Sequence, residues 1–271
     1  PRAGERDCGG HSPVESREPD ESTGREQTFL RLDCGDGKKP DRHHCELLEL
    51  PGSGRVRRSG TNELSGQLLR WLESDAVDED TKKELREIQG NPEEIESRFT
   101  SMLEFGTAGL RGVMQAGLNG MNVYTVRHAT QAFANIIRNC GESIGDGVTI
   151  AHDCRNNSRV FACEAASVLM ANGIHVNLFE DLRPTPELSF AIRETDSIAG
   201  INITASHNTK EFNGYKAYWA DGAQMPPEHA EKVSQEMARI DIFDDIQLID
   251  LEEAASGGCS PLSVRRWTKN T

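Results

Sequence analysis

The run Gly147-Val148-Thr149-Ile150-Ala151, the segment that opens at Ser158, and the run Ile174-His175-Val176-Asn177-Leu178-Phe179 read in order as strand, helix and strand. Both apolar runs are short enough to be strands, and Asn172-Gly173 punctuates the passage into the second. Between them Val160, Phe161, Ala165, Val168 and Leu169 recur at helical spacing behind Ser158, a residue type that caps helices.

The same alternation extends outward. Upstream, Val126, Ala129, Phe133, Ile136 and Ile137 mark an amphipathic helix. Downstream, Pro184 and Pro186 introduce a helix to about Glu194. Then come the strand-like run Ile198 to Thr204, a strand Tyr215-Lys216-Ala217-Tyr218, and a helix from about Pro227 to Arg239. Strands alternating with helices of ten or more residues predict an α/β fold, a three-layer α/β/α sandwich with a mixed sheet, with functional residues in loops at strand ends. Ahead of it, Leu64, Leu68, Leu69 and Leu72 stand at helical spacing. Asn91-Pro92-Glu93-Glu94 supplies an N-cap, a first-turn proline and acids near the helix dipole's positive end.

Residues 1–60 hold nine Gly and five Pro with no Ile, Trp or Tyr and no periodicity, so they read as a disordered or non-native extension. The folded unit is expected over 61–255. Residues 256–271 turn basic, lose the pattern and read as an irregular tail. Because the first methionine is Met102, the chain is expected to be a fragment, a processed chain or an extended gene model.

The net charge is −14, and residues 61–271 carry 32 acids against 19 bases. That balance disfavours nucleic acid or an anionic membrane as a partner, since both require a basic footprint. An anionic ligand must be held by a few placed cations and backbone N–H groups instead. With no long apolar run and no signal segment the expected location is cytoplasmic. The seven cysteines are scattered without a C-x-x-C pair, which argues against a disulfide framework or a zinc site and for reduced, partly buried thiols.

Three motifs carry chemistry. Phe105-Gly106-Thr107-Ala108-Gly109-Leu110-Arg111-Gly112 sets glycines around an arginine, so a backbone can approach a ligand while the guanidinium offers a fork to phosphate; a Gly-rich turn with a structural Arg is the equal alternative. It matches no nucleotide-binding fingerprint. His152-Asp153-Cys154-Arg155-Asn156-Asn157-Ser158 follows a strand and opens a helix, where amides, the dipole and Arg155 favour an anion; an N-cap with an ion pair is the alternative. Thr204-Ala205-Ser206-His207-Asn208 ends a strand, with Asn213-Gly214-Tyr215-Lys216 close behind. Adjacent Ser206 and His207 make a poor hydrolase pair, and no G-x-S-x-G elbow exists. A phosphorylated Ser206 would carry nearly two negative charges for neighbouring cations to organise, with Lys216 as general acid or base.

Together with Tyr218-Trp219-Ala220-Asp221-Gly222-Ala223-Gln224, these motifs over roughly residues 64–253 resemble the α-D-phosphohexomutase family, most of all its phosphoglucomutase and phosphopentomutase branch. The resemblance implies that Ser206 is the phosphoserine that exchanges its phosphoryl group with a hexose or pentose phosphate through a sugar 1,6-bisphosphate. It further implies that Arg111 and Lys216 assist proton transfer, that His207 and Arg155 flank the phosphoserine, and that Thr107, Arg111, Arg155, Asn208 and Lys216 contact substrate or phosphate. It places Mg²⁺ on a phosphoserine oxygen of Ser206. Thr209 stands where many relatives have Pro. The family's Asp-Gly-Asp-Gly-Asp-Arg metal loop and the sugar- and phosphate-recognition loops of its later domains do not occur here, and Asp75, Asp78 and Asp80 do not form that motif. The expectation is therefore a mutase portion inactive alone; the alternatives are a non-catalytic sugar-phosphate-binding or regulatory fragment, or a pseudogene product.

Overall fold

The computed structural model describes residues 27–32, 61–107, 109–141, 147–251 and 263–267. In chain order the elements are β1 (Gln27–Leu32), α1 (Thr61–Glu73), α2 (Glu79–Glu87), α3 (Pro92–Phe99), β2 (Leu110–Val113), α4 (Val123–Asn139), β3 (Val148–His152), α5 (Ser158–Ala171), β4 (Val176–Phe179), α6 (Thr185–Glu194), β5 (Ala199–Ile203), β6 (Phe212–Trp219), α7 (Pro227–Met237) and β7 (Ser263–Trp267). They build one mixed sheet in the order β2-β6-β5-β3-β4-β1-β7. β3 runs parallel to both β4 and β5, with Val148 opposite Val176 on one side and Ala199 on the other. β6 is antiparallel to β5 and to β2.

Every residue of β3, β4 and β5 is buried, which is why these strands read as continuous apolar runs. Their period of two divides the side chains between two helical layers. Val148, Ile150, Val176, Leu178, Ile201 and Ile203 belong to the core that contains α4, α5 and α7. Ala151, Phe179 and Tyr218 face the other way, onto Leu188, Ala191 and Ile192 of α6. The second layer lies close: a Cβ on Gly200 would stand 2.3 Å from Ile192 Cδ1. Each fully buried Leu, Ile or Phe contributes about 1.5–3 kcal/mol, so the two apolar faces fix the register against a one-residue slip.

The N-terminal helices form a second cluster. Leu64, Leu68 and Trp71 turn one face of α1 inward, and Trp71 is fully buried. The tryptophan ring makes edge contacts with Phe99, Tyr124 and Phe243 at centroid distances of 5.9, 5.1 and 5.3 Å. Leu69, grouped by spacing with Leu64 and Leu68, is half exposed. Asn91 caps α3 as expected, its Oδ1 accepting from the Glu93 and Glu94 amides. Ser158 differs from expectation: it is the first helical residue of α5, not its cap. The preceding Asn157 is left-handed without a side-chain cap bond, and the Ser158 hydroxyl donates to Asp153 Oδ1 at 2.7 Å. The same hydroxyl accepts from Asn213 Nδ2, so it ties the turn to β6 instead of capping the helix amides.

Gln27–Leu32 pairs antiparallel with β4 and with β7, strands that no periodicity announced. The rest of 1–60 and of 252–271 lies outside the described residues. Cys140 and Cys163 are half-buried free thiols, and Cys154 is an exposed one.

Candidate active site

Ser206 sits at the carboxyl end of β5, on the loop that carries the chain into β6. Ala205 before it is fully buried and anchors the turn, while Ser206 and His207 are exposed. Ser206 has φ 58°, a left-handed conformation for a residue with a side chain. Such a residue costs on the order of 1–3 kcal/mol and persists only where its surroundings over-determine it. Here its amide donates to Thr204 Oγ1 at 3.0 Å, and the Asn208 amide closes the turn onto the Ala205 carbonyl at 3.2 Å. The Ser206 hydroxyl and His207 Nδ1 are 3.4 Å apart, at the outer edge of a hydrogen bond.

The turn between β3 and α5 packs against this loop. Arg155 Nη2 donates to the Ser206 and Asn208 carbonyls at 2.9 and 2.7 Å, and Nη1 to those of Thr209 and Phe212 at 2.8 and 3.1 Å. Its Nε lies 3.3 Å from Asp153 Oδ2. Where the sequence suggested an anion for Arg155, the structure gives it backbone carbonyls. Asn208, half-buried, leaves its Oδ1 buried without a hydrogen-bond partner among the described residues.

Arg111 lies on β2, the strand at one end of the sheet, and Lys216 on β6 beside it. The β2–β6 register sets Arg111 opposite Gly214 and Leu110 opposite Tyr215, so Arg111 and Lys216 project from the same face as diagonal neighbours. Burial, reinforced by the Arg111 charge, holds the Lys216 ammonium below the ordinary lysine value, which brings it nearer to proton exchange. The Gly-rich motif is a tight turn in which the Gly106 and Gly109 amides and carbonyls bond reciprocally at 2.9 and 3.1 Å. Gly109 has φ +83° and lies so close to β6 that a Cβ would reach 1.9 Å from the Tyr215 oxygen, so no other residue fits. Thr107 is exposed at the tip of the turn. With Arg111, Phe105 and Met237 it lines an open cleft of about 890 Å³ that does not include Ser206 or Lys216.

Three residues quoted within the sequence motifs were assigned no role there. Thr204 holds the Ser206 amide, Gly214 admits the close approach of the loop, and fully buried Asn213 donates to the Ser158 hydroxyl and the Asn156 carbonyl, both at 3.0 Å. The Asn213-Gly214 pair was the signal available for two of them. Among the described residues no group of three or more His, Cys, Asp or Glu side chains is arranged to hold a metal ion, and no helix is long and apolar enough to cross a membrane. The arrangement offers an exposed hydroxyl on a hydrogen-bonded loop with two cations on the adjoining strands β6 and β2, a setting for transfer of an anionic group.

Comparison with known proteins gives the same direction. The chain is 38% identical over 191 residues to a phosphopentomutase of Homo sapiens, covering 68% of this chain and 31% of that protein. It is 36% identical over 189 residues to a phosphoglucomutase of Staphylococcus saprophyticus, covering 69% and 33%. It is 37% identical over 175 residues to a glucose 1,6-bisphosphate synthase of Mus musculus, covering 62% and 28%. The chain thus spans about a third of the length of the curated relatives it matches. The family model described as phosphoglucomutase/phosphomannomutase, alpha/beta/alpha domain I, matches residues 102–242. That match covers more than half of the chain and includes β2 through α7, so the chain belongs to the phosphoglucomutase/phosphomannomutase family.

Proposed function

We propose that this chain carries the phosphoryl-accepting serine of a phospho-sugar mutase acting on hexose or pentose phosphates, with Ser206 as the group that takes and returns the phosphoryl. The observation that carries the reading is the left-handed, exposed Ser206 at the end of β5, held at both its amide and its carbonyl. Relatives named phosphopentomutase, phosphoglucomutase and glucose 1,6-bisphosphate synthase support the substrate class.

In loading, the Ser206 hydroxyl oxygen attacks one phosphorus of a sugar 1,6-bisphosphate. The bond from that phosphorus to the sugar oxygen breaks, and the serine proton is balanced by one delivered to the departing oxygen. In the return step a sugar hydroxyl attacks the phosphoserine phosphorus, and Ser206 regains its proton. Lys216, with its ammonium made more acidic by burial and Arg111, is the group assigned to proton movement. Arg111 adds charge for the transferring oxygens. His207 flanks the phosphoserine, and Thr107 and Asn208 are assigned to substrate contact.

The Mg²⁺ implied by the resemblance finds no set of ligands among the described residues beyond the Ser206 oxygen itself; these residues do not make a site for it, and the steps above do not use it. Further charge stabilisation and sugar selection are assigned to the part of the relatives' length that this chain does not span, so loading of Ser206 is expected from the chain alone and steady mutase turnover is not.

The test is peptide mass spectrometry after incubation of the 271-residue chain with glucose 1,6-bisphosphate and Mg²⁺. Phosphate on Ser206, absent from Ser206→Ala, is the expected result. Phosphate elsewhere, or none at saturating bisphosphate, overturns the assignment and favours a non-catalytic role.

A further inference from the structure

We propose that Arg155 is a positioning residue for phosphoryl transfer: its guanidinium sets the Ser206 hydroxyl by gripping the loop backbone, and it does not bind the phosphoryl group. The proposal rests on the reading of Ser206 as the phosphoryl acceptor.

An arginine that binds phosphate presents a free fork of N–H donors. Arg155 has none to present. The four N–H groups of Nη1 and Nη2 are matched by four carbonyls, those of Ser206, Asn208, Thr209 and Phe212. The remaining donor, Nε, faces Asp153 Oδ2 at 3.3 Å. The side chain is only 13% exposed, and its bonds to the Asn208 and Phe212 carbonyls are part-buried, while those to Ser206 and Thr209 lie at the surface.

The anchor behind Arg155 is as well built as the grip in front. Asp153 Oδ1 accepts from the Arg155 amide at 2.9 Å and from the Ser158 hydroxyl at 2.7 Å, and Asp153's own amide donates to the Ile203 carbonyl at 3.1 Å. Asn213 then ties Ser158 to the start of β6. The guanidinium is therefore held by the β3–α5 turn and spans the loop from Ser206 to Phe212, whose two ends are fixed by neighbouring strands.

The consequence falls on Ser206 itself. A left-handed residue between two ordinary ones turns its carbonyl away from the strand direction. That carbonyl accepts from Arg155 Nη2, while the Ser206 amide donates to Thr204 Oγ1. Both peptide groups flanking the Ser206 side chain are thereby fixed, and with them the direction of its Cα–Cβ bond. Lysine cannot substitute, because a single ammonium has three donors on one atom and cannot bridge four carbonyls in a plane.

The experiment compares Arg155→Lys with the parent chain by single-turnover phosphorylation of Ser206 at increasing glucose 1,6-bisphosphate, and by amide hydrogen exchange over residues 206–212. A loosened nucleophile should lower the saturating rate by about 100-fold, the cost of misplacing a reacting group by roughly an ångström. The half-saturating concentration should stay unchanged because no contact to the ligand is lost. Exchange should accelerate in this loop and not in β3 or β5. A raised half-saturating concentration with an unchanged saturating rate would mean that Arg155 holds phosphate, and unchanged exchange would mean that it grips nothing; either overturns the proposal. If Arg155→Lys does not fold, Asp153→Asn, which leaves the guanidinium and loosens only its anchor, should show a smaller drop of the same kind. If the parent chain takes no phosphate on Ser206, the mutase reading fails while the exchange measurement still decides the grip.

Discussion

Thr204 and Gly214 meet where the β5 end passes β6 at a separation that leaves no room for a side chain. The Thr204 amide donates to the Gly214 carbonyl at 2.9 Å, and a Cβ on Gly214 would lie 2.7 Å from the Thr204 carbonyl oxygen and 2.9 Å from that of Leu110. Both obstacles are backbone, one in β2 and one just past the end of β5, so neither can swing away as a side chain could. Gly214→Ala should therefore destabilise the domain by about 1–3 kcal/mol, the range for overpacking a tight site. Urea denaturation followed by circular dichroism checks this; a midpoint equal to that of the parent would show that the two strands part more easily than their pairing suggests.

Trp71 is the hub of the N-terminal helices, fully buried with three aromatic neighbours drawn from α3, α4 and the segment after α7. Trp71→Ala should cost about 3–5 kcal/mol through lost transfer energy and the cavity left behind. Because the sheet strands β3–β5 pack in a different cluster, the loss should appear in thermal unfolding and hydrogen exchange of α1–α3 before that of β3–β5. Simultaneous loss of protection in both would show that the helices and the sheet unfold as one unit.

Much of the fold was legible because burial and periodicity agree. β3, α5 and β4 show as apolar runs of the right length since both faces of the sheet are covered, and the helix behind Pro184 and Pro186 runs to Glu194 as read. β2 was not legible. It has four residues, Leu110-Arg111-Gly112-Val113, and exists by pairing with β6 about a hundred residues away in sequence. Within the candidate site, Ser206 and Lys216 stand out by residue type and spacing, whereas Arg111 owes its assignment to the family resemblance. The contacts of Arg155 do not, because its partners are backbone carbonyls 51 to 57 positions distant, which any residues could supply.

Acid should weaken the attachment of α1. Asp241 accepts from Arg70 Nη2 at 2.5 Å and from the Phe243 and Asp244 amides at 2.9 and 3.1 Å. Burial alone would raise this carboxyl; the Arg70 bond and the two amides outweigh it and hold it at about 2. The folded value lies below the unfolded value of about 3.9, so the contribution is complete above pH ~4 and is lost as pH falls toward 2. Asp241→Asn should lower stability near pH 6 by about 1 kcal/mol and flatten its decline below pH ~4. Parallel pH curves for variant and parent would remove Asp241 from the account.

Ser206 should also report on its own strain. At φ 58° any residue with a Cβ is disfavoured by roughly 1–2 kcal/mol, whereas glycine is not. Glycine gains freedom in the unfolded chain, which offsets part of that relief. Comparing Ser206→Gly with Ser206→Ala isolates the backbone term, since both remove the hydroxyl and its contact with His207. The glycine variant should be the more stable by about 1 kcal/mol, a shift in Tm of about 2–4 °C for a domain of this size. Equal melting would mean that the loop relaxes to an ordinary conformation once the hydroxyl is gone. That outcome would place the cause of the left-handed turn in the side chain and not in the four carbonyls held by Arg155. A more stable alanine variant would deny the strain altogether.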